Sequence, residues 1–202
     1  MENKKKVATV DMEALLPTLI VGIGGSAGAL NAYKAMLVAM PLDTGLAFVI
    51  ISHMNPIAHS HLAKILSRYT KLKVLVASME MPILANHVYV TPPDSDLFIE
   101  DYKFKVVNPR SQRNKQIDIF FTSLAEAMGV SAIGIIFSGY DGDGTEGCKH
   151  IKEHGGKIFA QDTSAEIDSM PLSAQASGCV DFVLSPDKIP DKLISLAAAL
   201  KM

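Results

Sequence analysis

The sequence predicts an α/β domain, a three-layer, Rossmann-like, mostly parallel sheet with helices on both faces and an antiparallel hairpin insert. Three observations carry that reading. From Thr18 onward, short β-branched runs alternate with longer amphipathic stretches, the pattern of parallel strands joined by crossover helices. Several short runs are apolar without alternation, as in Ile133-Gly134-Ile135-Ile136-Phe137, which suits strands covered on both faces. A chain of 202 residues, 49% of them hydrophobic, is also the size of one ordinary domain with a continuous core.

In chain order, residues 1–16 join the Lys4-Lys5-Lys6 run to charges and apolar residues without a period. They read as a lead-in or linker without the unbroken apolar segment of a secretion signal, and residues 17–202 as the domain. A strand at 18–24 runs into a glycine-rich turn and a helix at 30–40. A second strand at 47–52 leads to a helix at 60–69 and a strand at 73–77. The alternation then breaks. Val88-Tyr89-Val90 and Leu97-Phe98-Ile99 flank Pro92-Pro93-Asp94, and an extended run at 104–107 follows Asp101-Tyr102-Lys103. This is the expected hairpin insert, its tip open to two readings, a specificity or partner element and a structural flap. A helix at 117–128, strand at 132–138, helix at 144–154, strands at 157–161 and 180–184, and a helix at 190–200 complete the series.

A formal charge of −2 provides no basic field for nucleic acid or anionic membrane, and no run reaches membrane-spanning length without polar interruption. Cys148 and Cys179 are too few for a disulfide framework and read as reduced thiols of a cytoplasmic protein.

The sharpest chemical signal is Gly22-Ile23-Gly24-Gly25-Ser26-Ala27-Gly28, where the first strand meets the first helix. Small residues allow a tight turn that exposes one hydroxyl, and the first helical amides supply donors for a developing oxyanion. The same letters spell a dinucleotide fingerprint, Gly22-x-Gly24-x-x-Ala27. That site needs an acid at the end of the second strand, which instead ends in Ser52-His53-Met54, while Asp43 precedes the strand. A glycine turn that only caps a helix is the structural alternative for Ser26. His53 follows the second strand, so Ser26 and His53 emerge at one carboxyl edge if the two strands are neighbours. His59 and His61 lack the paired spacing or cysteine help of a zinc site, so no metal is expected. Phe137-Ser138-Gly139-Tyr140-Asp141-Gly142-Asp143-Gly144 places acids after a third strand. Its Asp-x-Asp-Gly lacks a calcium loop's later glutamate, and a helix cap is the structural alternative for Asp143. A hydroxyl, an imidazole and a carboxylate at three strand ends are the parts of a nucleophile, a base and an orienting acid.

These residues resemble the chemotaxis protein-glutamate methylesterases, the CheB family, over nearly all of the chain after the lead-in. The likeness rests on the order Ser26, His53, Asp143, on Tyr89-Val90-Thr91-Pro92-Pro93, on Gln116 to Phe121, and on Gln161-Asp162 through Ser169-Met170-Pro171-Leu172-Ser173-Ala174. The resemblance implies hydrolysis of methyl-glutamyl esters on chemoreceptor signalling helices, with methanol released, glutamine deamidation as a related activity, and no cofactor. It assigns Ser26 as nucleophile, His53 as base and Asp143 as orienting acid, with amides near Ala27 and Tyr140 holding the oxyanion. Ala27 stands for the family's usual threonine, Ala29 for a glycine, and Tyr140-Asp141 for Met-Gly. The family's receiver domain, which joins it to two-component phosphorelay signalling, has no counterpart in this sequence. The glycine-serine wording looks closest to esterase domains fused to methyltransferase and sensor modules. A methylated chemoreceptor is the expected partner. The competing expectations are a serine esterase or amidase with another substrate, and a catalytically idle domain that binds a signalling partner.

Overall fold

The computed structural model describes residues 15–52 and 56–200, the side chains of 56–60 excepted. In chain order its elements are β1 (Leu19–Gly25), α1 (Ala29–Ala39), β2 (Leu46–Ser52), α2 (Pro56–Leu66), β3 (Lys73–Val76), β4 (His87–Val90), β5 (Asp96–Glu100), β6 (Lys103–Val107), α3 (Gln116–Met128), β7 (Ala132–Ile136), α4 (Thr145–Glu153), β8 (Lys157–Gln161), α5 (Ser169–Ala176), β9 (Phe182–Leu184) and α6 (Ile189–Leu200). Among the described residues, seven strands form one parallel sheet in the order β3-β4-β2-β1-β7-β8-β9.

The central strands β1, β2 and β7 are buried on both faces, as the unbroken apolar runs require, while the edge strands β3 and β9 are partly exposed. Leu19, Val21 and Ile23 of β1 pack with α1, α2 and α6, whereas Ile20 joins α3, α4 and α5 on the opposite face. Ile117, Phe120, Phe121 and Leu124 of α3 have no exposed surface, and each such side chain contributes roughly 1.5–3 kcal/mol relative to exposure. Gly22 and Gly24 let α3 approach this closely. A Cβ at Gly22 would lie 2.8 Å from the Phe121 ring, and one at Gly24 would lie 2.6 Å from Ile117 Cγ2. Cys148 and Cys179 are buried, unlinked thiols on that same face. Burial and a hydrogen bond to Cys179 push the Cys148 thiol up, the hydrogen bond being the larger cause. No helix among the described residues is long and apolar enough to cross a membrane.

Two local expectations are corrected. The Val88-Tyr89-Val90 run is not an arm of the hairpin. It is β4, paired in parallel with both β2 and β3 inside the large sheet. A three-residue apolar run has too little length for periodicity to separate a sheet strand from a hairpin arm. The antiparallel hairpin is β5 with β6, and its tip is Asp101-Tyr102, both residues with positive φ (47° and 58°), as a two-residue primed turn demands. This tip is fastened to the preceding loop by the Ile83 amide donating to the Tyr102 carbonyl at 2.7 Å. The second correction is α5, a helix with no period to announce it. Pro171 falls in its first turn, where a missing N–H breaks no helical bond.

Candidate active site

The strand order places a topological switch point between β1 and β7. The chain moves outward from β1 toward β2 on one side, and from β7 toward β8 and β9 on the other. The carboxyl ends of strands at such a point form the crevice where open α/β sheets bind ligands. Ser26 follows β1 and the 138–143 loop follows β7, so both lie at that crevice.

Ser26 is half-buried and Ala27 is exposed. The turn closes at Gly28, whose φ of 78° belongs to the left-handed region that glycine enters without a Cβ penalty, and the helix α1 begins with the next residue. Beneath the turn, Gly25 leaves room for the Tyr33 hydroxyl, which would sit 2.5 Å from an added Cβ. Burial raises the Tyr33 phenol above its ordinary value. Ser52, the last residue of β2, pairs in register with Gly25. His53 follows Ser52 in sequence and lies outside the described residues.

The loop after β7 is stitched directly to the serine turn. The Phe137 amide donates to the Gly24 carbonyl at 2.9 Å, and the Ser26 amide donates to the Ser138 carbonyl at 2.9 Å. A Cβ on Gly139 would lie 3.0 Å from Ser26 Cβ, so this backbone runs against the serine itself. The Met170 amide, at the start of α5, donates to the Gly139 carbonyl at 3.0 Å. Because a trans peptide points its C=O and N–H in opposite directions, that bond fixes where the Tyr140 N–H is aimed. The Tyr140 side chain is 72% exposed at the rim.

Asp143 is 3% exposed. Its Oδ2 accepts the Ile117 amide at 3.0 Å, and its Oδ1 accepts the Asp118 and Gly144 amides at 2.9 and 2.8 Å. Two of those donors belong to the first turn of α3, where helical N–H groups have no intrahelical partner and positive potential favours an anion. The cap considered for this residue is therefore present, but it serves mainly α3 rather than the helix that follows it; α4 has Gly144 at its own N-cap position. Asp141 is half-buried, and its Oδ1 accepts the Asp143 amide at 3.2 Å. Lys115 is held above the usual lysine range, chiefly by its 2.9 Å hydrogen bond to Asp118, with Asp143 adding to the effect.

The structure thus brings Ser26, Ala27, Tyr140 and Asp143 to one edge. Sequence reasoning missed Ser138 as a participant in its own right, and Gln161 beneath it; their only signal was a polar residue closing an apolar strand. A separate groove of about 400 Å³ beside α3 is lined by Phe98, Lys115, Asp118 and Glu126 among others, and none of the predicted site residues lines it. Among the described residues, no grouping of three or more histidine, cysteine or acidic side chains has the geometry to hold a metal ion.

The chain is similar to known proteins over most of its length. Residues 21–193 match the model of the family described as CheB methylesterase. A putative protein-glutamate methylesterase/protein-glutamine glutaminase of Leptospira interrogans is 35% identical over 178 residues, covering 86% of this chain and 92% of that protein. A protein-glutamate methylesterase/protein-glutamine glutaminase of Hydrogenovibrio crunogenus is 29% identical over 184 residues. This chain spans about half of the Hydrogenovibrio protein (49%), with 88% of its own length matched. The crystal structure of the Thermotoga maritima CheB methylesterase catalytic domain superposes with a TM-score of 0.80 at 28% identity, covering 88% of this chain and 98% of that one.

Proposed function

This chain belongs to the CheB methylesterase family, and from that premise we propose that its domain, residues 17–202, hydrolyses methyl-glutamyl esters on a chemoreceptor-like signalling protein in the cytoplasm. Ser26 Oγ attacks the ester carbonyl while His53 takes its proton, and Asp143 holds the imidazole in the tautomer that can accept it. The tetrahedral oxyanion is stabilised by the Ala27 and Tyr140 amides. His53 then protonates the departing methoxide as methanol, and water releases the glutamate by the same steps in reverse. Attack on a glutamine amide passes through the corresponding tetrahedral intermediate, expels ammonia protonated by His53, and leaves the same glutamyl ester on Ser26 for water to hydrolyse. No metal or cofactor enters these steps.

One observation supports this reading above the rest. The β1–β7 pairing sets Ser26 beside a loop whose single buried carboxylate, Asp143, is fixed by three amide donors. A partner carrying methylated glutamates is the substrate, and methyltransferase and sensor modules are its associates in the same pathway of modification.

The test is methanol release from a methylated receptor fragment by the parent chain and by Ser26→Ala. The variant should fold and lose turnover, keeping only the roughly 10³–10⁴-fold advantage over water that binding and oxyanion donors alone provide. A Ser26→Ala chain that works at the parent rate refutes the triad. Hydrolysis of small esters without methanol release identifies a different esterase, and inactivity on both identifies an idle binding domain.

A further inference from the structure

Ser138 has no exposed surface, yet every polar group it owns is engaged. Its amide donates to Gln161 Oε1 at 3.1 Å, and its carbonyl accepts the Ser26 amide at 2.9 Å. Its hydroxyl donates to the Ala27 carbonyl at 2.9 Å and accepts the Ile167 amide at 2.9 Å. Gln161 in turn donates from Nε2 to Ser164 Oγ at 3.2 Å.

These bonds have a geometric consequence for the reaction. The Ser26 amide lies on the peptide before the nucleophile, and the Ala27 carbonyl lies on the peptide after Ala27. Both are tied to the same residue. The peptide between them, which joins Ser26 to Ala27 and carries the Ala27 N–H, is planar, so fixing its two neighbours restricts its tilt. The contact is close: a Cβ on Gly28 would lie 2.6 Å from Ser138 Oγ.

We infer that Ser138 is a positioning residue for the esterase reaction, its hydroxyl holding the Ser26–Ala27 turn so that the Ala27 N–H meets the oxyanion. The inference rests on Ser26 being the nucleophile. Its effect falls on the transition state, because the oxyanion forms only there, and a misplacement of about 1 Å costs on the order of 10²-fold in rate. A serine that served folding alone would change stability and leave this selectivity untouched.

Ser138→Ala separates the two roles. Methanol release from a methyl-glutamyl peptide gives kcat and KM, and an arylboronic acid, which forms a tetrahedral adduct on an active serine, reports affinity for the transition-state shape. Both are measured below the variant's melting temperature. The expected result is kcat lower by roughly 10- to 100-fold, boronate affinity lower by a similar factor, and KM within about twofold of the parent. Parent-like kcat overturns the inference, and so does a fall in kcat with unchanged boronate affinity. If the alanine variant does not fold, Ser138→Cys, which keeps a side chain of similar size and weakens both hydroxyl bonds, is judged by the same criteria. Ser26→Ala run alongside keeps the failures apart. Activity at the parent rate in that variant removes the nucleophile and this inference together, whereas a dead Ser26→Ala beside a parent-like Ser138→Ala removes only the inference.

Discussion

Replacing Asp143 by asparagine changes one atom and tests two things. The carboxylate now accepts three amide hydrogens, two at Oδ1 from Asp118 and Gly144 and one at Oδ2 from Ile117. An asparagine has one acceptor oxygen and an NH2 group that only donates. With its oxygen in the Oδ1 place, the NH2 faces the Ile117 amide, donor against donor. Turned over, it faces two amides instead. The better orientation therefore loses one charge-assisted bond outright, worth about 1.5–3 kcal/mol, and weakens the other two by removing the charge. In a chain of this size that is a fall in melting temperature of roughly 2–4 °C per kcal/mol. Activity should fall much further, because the amide would favour the wrong imidazole tautomer; in a serine-protease triad the same change lowers turnover about 10⁴-fold. Urea denaturation and steady-state methanol release on the same preparations measure both. Asp141→Asn is the matched control, since an asparagine oxygen can still accept the Asp143 amide, and it should alter each quantity far less. A larger loss at Asp141 than at Asp143, in either assay, refutes the assignment.

Three further outcomes are expected. The parent rate should rise with pH as a neutral base requires, and His53→Gln should flatten that limb with a loss on the order of 10²-fold or more; a pH limb that survives the substitution assigns the base elsewhere. Asp141→Gly should raise turnover if the half-buried carboxylate opposes the developing oxyanion, and a kcat at or below the parent value removes that electrostatic argument. Gly28→Ala meets both a φ of 78° and the Ser138 hydroxyl, so it should destabilise the fold by more than about 1 kcal/mol and lower kcat with it; chemical denaturation showing no change would contradict the crowding described for this turn.

Much of the architecture was legible because burial on both faces writes itself into composition. β1, β2 and β7 are the central neighbours of the sheet, and each reads as an apolar run that ends where polar or glycine residues begin. The range expected for the next strand, 157–161, coincides with β8 for the same reason. Helix α2 begins at Pro56, four residues before the expected start, at the position where a proline's fixed φ and absent N–H suit a helix. What the sequence concealed is of another kind. β4 and the true hairpin arms differ only in which strand each one meets, and α5 is held by contacts rather than by a periodic face. For the site, Ser26 and Asp143 were visible as strand-end residues. The bond from the Ser138 hydroxyl to Ala27 spans 111 positions and has no local signature.

The Asp143 carboxylate also bears on how such a domain would decay. Because it caps α3 from across a loop, the residue is bound by selection on folding as well as by selection on catalysis. A descendant freed from its enzymatic duty would still lose stability by discarding this acid, whereas the half-buried Ser26 side chain could be exchanged at little cost to the fold. Among drifting copies the nucleophile should therefore disappear first and the aspartate last. A retained aspartate then testifies to a domain that still has to fold, and a retained serine to one that still has to work.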